Sequence, residues 1–178
     1  MPRQIALLRG INLGARNRVS MPELRALLTG LGHEDVKTLL QSGNVVLTSD
    51  ETGGRLEQSL ERAIAKELGV DSKVVVRTAR ELAGVVERNP FGDVADDPKR
   101  YQVSFLSAPP EAAVVRALET ADVAPEQVLV SGREIYAWHP GGIQRSQLVK
   151  LLTDKKLGVT ATARNWNTVT KLLELARE

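Results

Sequence analysis

The strongest constraint on this chain is the order in which two kinds of apolar pattern alternate. Short continuous apolar runs, as at Ile5 to Leu8 and Val74 to Val76, read as strands buried on both faces. Leucines at i, i+3, i+4 and i+7, as at Leu24, Leu27, Leu28 and Leu31, read as helices with one buried stripe. In sequence, the first 77 residues give strand, helix, hairpin, helix, strand. The first helix opens at Ser20 with Pro22 and Glu23, a capping-box pattern. The hairpin joins strands at 36–41 and 45–48 around Ser42, Gly43 and Asn44. The second helix carries Leu56, Leu60, Ile64 and Leu68 and stops at Gly69. This is the β-α-β-β-α-β order of a ferredoxin-like unit.

The order then recurs. A capping box at Thr78 to Glu81 opens a linking helix that runs to Arg88, and a polar loop follows to residue 100. A strand at 101–107, a helix through Leu118, a hairpin around Gly132, a helix at 144–156 and a closing strand at 159–163 complete a second set. A last helix carries Trp166, Val169, Leu172, Leu173 and Ala176 on one stripe. The expected fold is α+β: two ferredoxin-like (β-α-β-β-α-β type) halves with an additional linking helix and a C-terminal helix. The expected divisions are a first half at 1–77, a linking helix and loop at 78–100, and a second half with the terminal helix at 101–178. The repeat lies in element order; no residue-level repeat is visible.

Composition narrows the chemistry. The 178 residues include no Cys, which excludes disulfides, zinc–thiolate sites, iron–sulfur clusters and thiol nucleophiles. Two His make a multi-histidine metal site untenable, and Asp93, Asp96 and Asp97 lack calcium-loop spacing, so no metal and no cofactor are expected. His33 and His139 each read as loop or surface histidines. A net charge of +2 is too small to make nucleic-acid binding a default. Only four consecutive apolar residues, Ile5 to Leu8, precede Arg9 at the N-terminus, against the longer run of a signal peptide or the roughly 20 residues of a membrane span, so a cytoplasmic protein with no membrane association is expected.

Charge is unevenly placed. Residues 1–20 hold four arginines and no acid, and residues 133–171 are also strongly basic. Within the first segment, the loop from Arg9 to Arg18 joins a strand to a helix N-terminus. Gly10 and Gly14 allow backbone N–H groups to approach a ligand, and Arg9 and Arg16 are candidate bidentate partners for phosphate or carboxylate. The loop lacks the Gly-Lys-Ser/Thr of a P-loop. Arg9, Gly10, Asn12, Gly14, Ser42, Asn44, Arg164, Asn165, Trp166 and Asn167 form the candidate ligand-binding set. Structural roles compete at several of them: Asn44 as a turn residue, Asn165 or Asn167 as a helix cap, Trp166 as a core anchor. The aromatics Tyr101, Phe105, Tyr136 and Trp138 fall on neighbouring strands, where core or inter-half packing outweighs an RNA-stacking role.

Five blocks together resemble a known family: residues 6–14 (ALLRGINLG), 21–24 (MPEL), 41–46 (QSGNVV), 89–91 (NPF) and 162–172 (TARNWNTVTKL). They resemble, in the same order, the bacterial family catalogued as domain of unknown function 1697. Its pattern commonly continues Gly14 with a second Gly, where this chain has Ala15. The resemblance implies a small cytoplasmic bacterial α+β protein of two similar halves, and implies no activity. Three functional readings stay open: binding of a small phosphorylated or other anionic ligand at a junction of the two halves, a phosphoryl- or acyl-group enzyme of acylphosphatase-like chemistry, and a nucleic-acid-binding module. The oligomeric state is not legible.

Overall fold

The computed structural model describes residues 1–178. The chain divides into two compact units: Met1–Gly84 together with Lys171–Glu178, and Val85–Thr170. The first unit contains β1 (Arg3–Leu8), α1 (Met21–Gly30), β2 (Glu34–Leu39), β3 (Asn44–Thr48), α2 (Gly53–Leu68) and β4 (Val74–Thr78). Its sheet is antiparallel, in the order β2-β3-β1-β4. Splitting each βαβ unit around a central strand is the ferredoxin-like arrangement.

Local chemistry sets the helix ends. Ser20 Oγ accepts from the Glu23 N–H and starts α1. Gly69, left-handed at φ 67°, ends α2. Ala6 and Leu8, Val45 and Leu47, and Val74 and Val76 share one sheet face with Leu24, Leu28, Leu56, Leu60 and Ile64 from the helices. The opposite face is also apolar and buried, at Ile5, Leu7, Val46 and Val75, as the continuous runs require. β4 is an edge strand, and its alternate amides are each taken by a carboxylate. Glu61, Glu57 and Glu81 accept from the N–H groups of Val74, Val76 and Thr78 at 3.0, 2.9 and 3.0 Å. The Thr78 hydroxyl accepts from the Glu81 N–H in return, so the expected capping box at the start of α3 (Ala79–Arg88) is complete.

The second unit contains β5 (Tyr101–Leu106), α4 (Ala112–Glu119), β6 (Gln127–Ser131), β7 (Glu134–Trp138) and β8 (Ala161–Asn165), with sheet order β6-β7-β5-β8. The two sheets thus share one topology. They also share a buried arginine at matching positions. Arg77 on β4 lies opposite Ile5 of β1, and Arg164 on β8 lies opposite Val103 of β5. In each case a capping residue and then a helix follow, α3 in one and α6 (Trp166–Ala176) in the other.

One expected element is absent. The stretch 144–156, expected as a helix, forms two 3-10 turns, Ile143–Arg145 and Val149–Leu151, and a four-residue α5 (Asp154–Leu157). The Glu126 carboxylate explains the break: it accepts from the N–H groups of Gln147 and Leu148 at 3.0 and 3.1 Å, ending the regular ladder there. Ser146 is extended, and Thr153 caps α5 by accepting from the Lys156 N–H. The closing strand also falls two residues later than expected.

Candidate anion site at the end of the first sheet

Beyond β1 the chain enters a loop with four positive-φ residues, Gly10, Asn12, Gly14 and Asn17, at 70°, 52°, 63° and 51°. Ala15 is not among them, so the loop does not need the second glycine of the family pattern. Asn12 organises the loop. Its Oδ1 accepts from the Val19 N–H at 2.8 Å, and its Nδ2 donates to the Val19 carbonyl at 3.0 Å and to the Gln41 carbonyl at 2.7 Å. Asn17 Nδ2 donates to the Gly10 carbonyl at 3.1 Å. The β2–β3 hairpin meets the loop here, because the Leu8 N–H donates to the Gly43 carbonyl at 2.8 Å. Buried Asn44 fixes the hairpin by donating to the Leu39 carbonyl and to Ser42 Oγ at 2.8 and 2.9 Å. Arg9, Gly10, Asn12, Gly14, Ser42 and Asn44 therefore do gather at one end of one sheet.

A shallow cleft of about 280 Å³ lies at this end, lined by Arg9, Gly10, Asn17, Asp71 and Lys73. Antiparallel pairing of β1 with β4 brings the residue after one strand beside the residue before the other. The Arg9 backbone is held firmly: its N–H donates to the Lys73 carbonyl at 2.9 Å, and its carbonyl accepts from Ser72 Oγ at 2.9 Å. Both cationic side chains are exposed, and Asp71 is the one acid in the lining. Lys73, Asp71 and Asn17 are members that sequence reasoning missed.

The remaining candidates belong to the second unit. The Arg164 guanidinium is buried, and burial pulls its pKa down to about 10. It donates to Thr162 Oγ1 at 2.6 Å and to the Ala163 carbonyl at 2.9 Å. Asn165 Oδ1 accepts from the Thr168 N–H at 3.0 Å and so caps α6. Trp166 stacks on Tyr101 with centroids 4.7 Å apart and planes 15° from parallel. The Asn167 carbonyl accepts from Thr170 Oγ1. Tyr101, Phe105, Tyr136 and Trp138 are all buried, so they present no open stacking platform. Burial pushes the Tyr101 and Tyr136 hydroxyls up to about 12, and the latter donates to the Val85 carbonyl at 2.7 Å.

Both histidines differ from expectation: His33 and His139 are buried. His139 Nδ1 lies 2.7 Å from Glu126 Oε2 and 3.0 Å from Ser146 Oγ, and Ser146 Oγ also donates to Glu126. Burial favours a raised Glu126 pKa, but donation from Ser146, His139 and the Leu148 N–H prevails and holds it below the usual carboxylate value. Ser146 Oγ accepts from the Val149 N–H at 2.9 Å. The cluster's polar atoms are thus spent largely on the backbone of the broken segment. No group of three His, Asp or Glu side chains is placed to hold a metal ion, and no helix is long and apolar enough to cross a membrane.

Comparison with known proteins bears on the fold and the family. The chain is similar to the structure of a conserved bacterial protein, SP0830 from Streptococcus pneumoniae, at 24% identity and a TM-score of 0.76, covering 98% of each chain. At that identity the likeness speaks to the fold. No curated protein matches the sequence. The family described as "Protein of unknown function (DUF1697)" matches over residues 1–136, a span that takes in the whole Arg9 loop, the hairpin and the linking helix. With three quarters of its length inside that match, the chain belongs to this family of unknown function.

Proposed function

We propose that the first unit binds a small anionic ligand, a phosphate- or carboxylate-bearing molecule, in the cleft between Arg9 and Lys73. The observation that carries this reading is the cleft itself: two exposed cations flank it, and the Arg9 backbone is bonded to the Lys73 backbone, so the two side chains emerge from a fixed base. A guanidinium offers a planar fork for such a ligand and an ammonium a point charge. Gly10 lines the cleft without a side chain, while Asn12, Gly14, Ser42 and Asn44 shape the loop and hairpin behind it. Asp71 adds an acceptor for a hydroxyl on the same ligand, which favours a phosphorylated polyol over a bare anion. Arg164, Asn165, Trp166 and Asn167 take structural roles in this reading, since their bonds serve β8 and α6. The buried aromatics support a small ligand over RNA.

The test is a thermal-shift titration with inorganic phosphate, a sugar phosphate and the unphosphorylated sugar. A ligand at 100 times its dissociation constant stabilises by roughly 2.7 kcal/mol, which raises the midpoint by roughly 5–10 °C in a chain of this size. The sugar phosphate is expected to give a shift that Arg9→Ala and Lys73→Ala each remove. Asp71→Asn should narrow its advantage over phosphate. A shift that persists in both cation variants refutes the assignment.

A further inference from the structure

The two units cover their sheets unequally. In the first, α2 runs for sixteen residues and buries Leu56, Leu60 and Ile64. In the second, the corresponding stretch is the pair of 3-10 turns and the four-residue α5. A cleft of about 340 Å³ opens beside α4, lined by Ala113, Val114, Ala117, Leu118, Leu151 and Lys156. Its size falls within the roughly 300–1,000 Å³ typical of small-molecule sites. Ala113 and Ala117 stand one turn apart on α4, and their short side chains make the width. Val114 and Leu151 pack against the apolar cluster of Leu106, Leu118, Ile135 and Leu157, so the floor is continuous with the core.

Only one lining residue is charged. Lys156 is exposed, so its ammonium reaches solvent at the rim of the cleft. An adjoining cleft is lined by Lys155 and Lys156 together with Glu111, whose carboxylate disfavours a ligand of high negative charge. Apolar walls, one cation in the cleft, and beside it a second lysine offset by Glu111 together match an apolar chain with a single anionic head. We infer that the second unit binds a small amphiphilic monoanion, its apolar part against Ala113, Ala117 and Leu151 and its head at Lys156. Medium-chain carboxylates are the simplest members of that class. This site is independent of the Arg9 cleft.

The experiment is a titration of the full chain with octanoate, octanol and octylammonium, followed by the NMR signals of the Ala113 and Ala117 methyl groups. Octanoate is expected to shift both methyls and to bind more tightly than octylammonium. Lys156→Gln should weaken octanoate roughly two- to fivefold, the range for an exposed charge pair, and leave octanol unchanged. Ala117→Leu fills the cleft and should abolish binding of both, while Arg9→Ala should change nothing. Absence of methyl shifts, equal binding of octanoate and octylammonium, or undiminished octanoate binding in both Ala117→Leu and Lys156→Gln overturns the inference. So does a concentration-dependent dimer, seen by sedimentation and lost in Ala117→Leu, because the occupant is then a second copy of the chain.

Discussion

Gly43 sits where a single added carbon has nowhere to go. Its φ is +90°, and a Cβ there would lie 2.7 Å from Leu8 Cβ and 2.9 Å from Ile11 Cδ1. Gly132 has a comparable φ of +59° with nothing within 4 Å. The pair separates two costs. Gly132→Ala should lose about 1–2 kcal/mol from backbone strain alone, and Gly43→Ala about 2–4 kcal/mol once overpacking is added. Equal losses in urea unfolding would show that the contact with Leu8 and Ile11 relaxes freely. His33 makes a different kind of prediction. Burial lowers its pKa from 6.5, with the Glu51 charge pulling weakly the other way. The unfolded chain therefore takes up the proton first as pH falls. Stability should be complete above about pH 6.5 and decline below it. His33→Gln should flatten that part of a plot of urea midpoint against pH; an unchanged slope would assign the decline to other groups. Neither burial was legible beforehand, because a lone histidine beside a glycine or proline looks the same whether its ring turns inward or out.

At the scale of elements, the segment 143–157 shows what periodicity leaves out. Leu148, Leu151 and Leu152 have the spacing of a buried helical stripe, and Leu148 is fully buried. Yet the carboxylate that interrupts the helix belongs to Glu126, more than twenty residues earlier, and no local pattern announces it. Glu126→Gln should cost about 2 kcal/mol, as a hydrogen-bond acceptor loses its charge. The loss should appear as faster hydrogen exchange at Gln147, Leu148 and Val149. Because the folded Glu126 pKa is depressed, its contribution should fade only as pH drops below about 4.5, a window distinct from that of His33. Unaltered exchange at those three amides would mean that the segment holds itself. By contrast, α1, α2, α3 and both hairpins were legible because their signals are local: Ser20 and Thr78 as caps, Gly69 as a stop, Gly43 and Gly132 in the turns. The candidate cleft was half legible for the same reason. Arg9 and Gly10 announce a loop, but Asp71 and Lys73 join them only through the pairing of β1 with β4.

At the scale of the whole molecule, the units are not consecutive in sequence. The first takes residues from both ends, and both boundaries fall inside helices, α3 and α6. Leu172 and Leu173 are buried and belong to the first unit although they follow the whole of the second. Leu172→Ala should therefore cost about 2–5 kcal/mol, with the loss read in the amides of β1, β3 and β4. Faster exchange confined to β5, β7 and β8 would contradict that assignment. This interleaving sets an order on synthesis. A ribosome emits every residue of the second unit before the first unit receives its last eight, so the part begun earliest is completed last. Until then the first unit lacks one of its apolar pieces, whereas the carboxylates that occupy the edge amides of β4 come from Glu57, Glu61 and Glu81, all of which lie in its earlier segment.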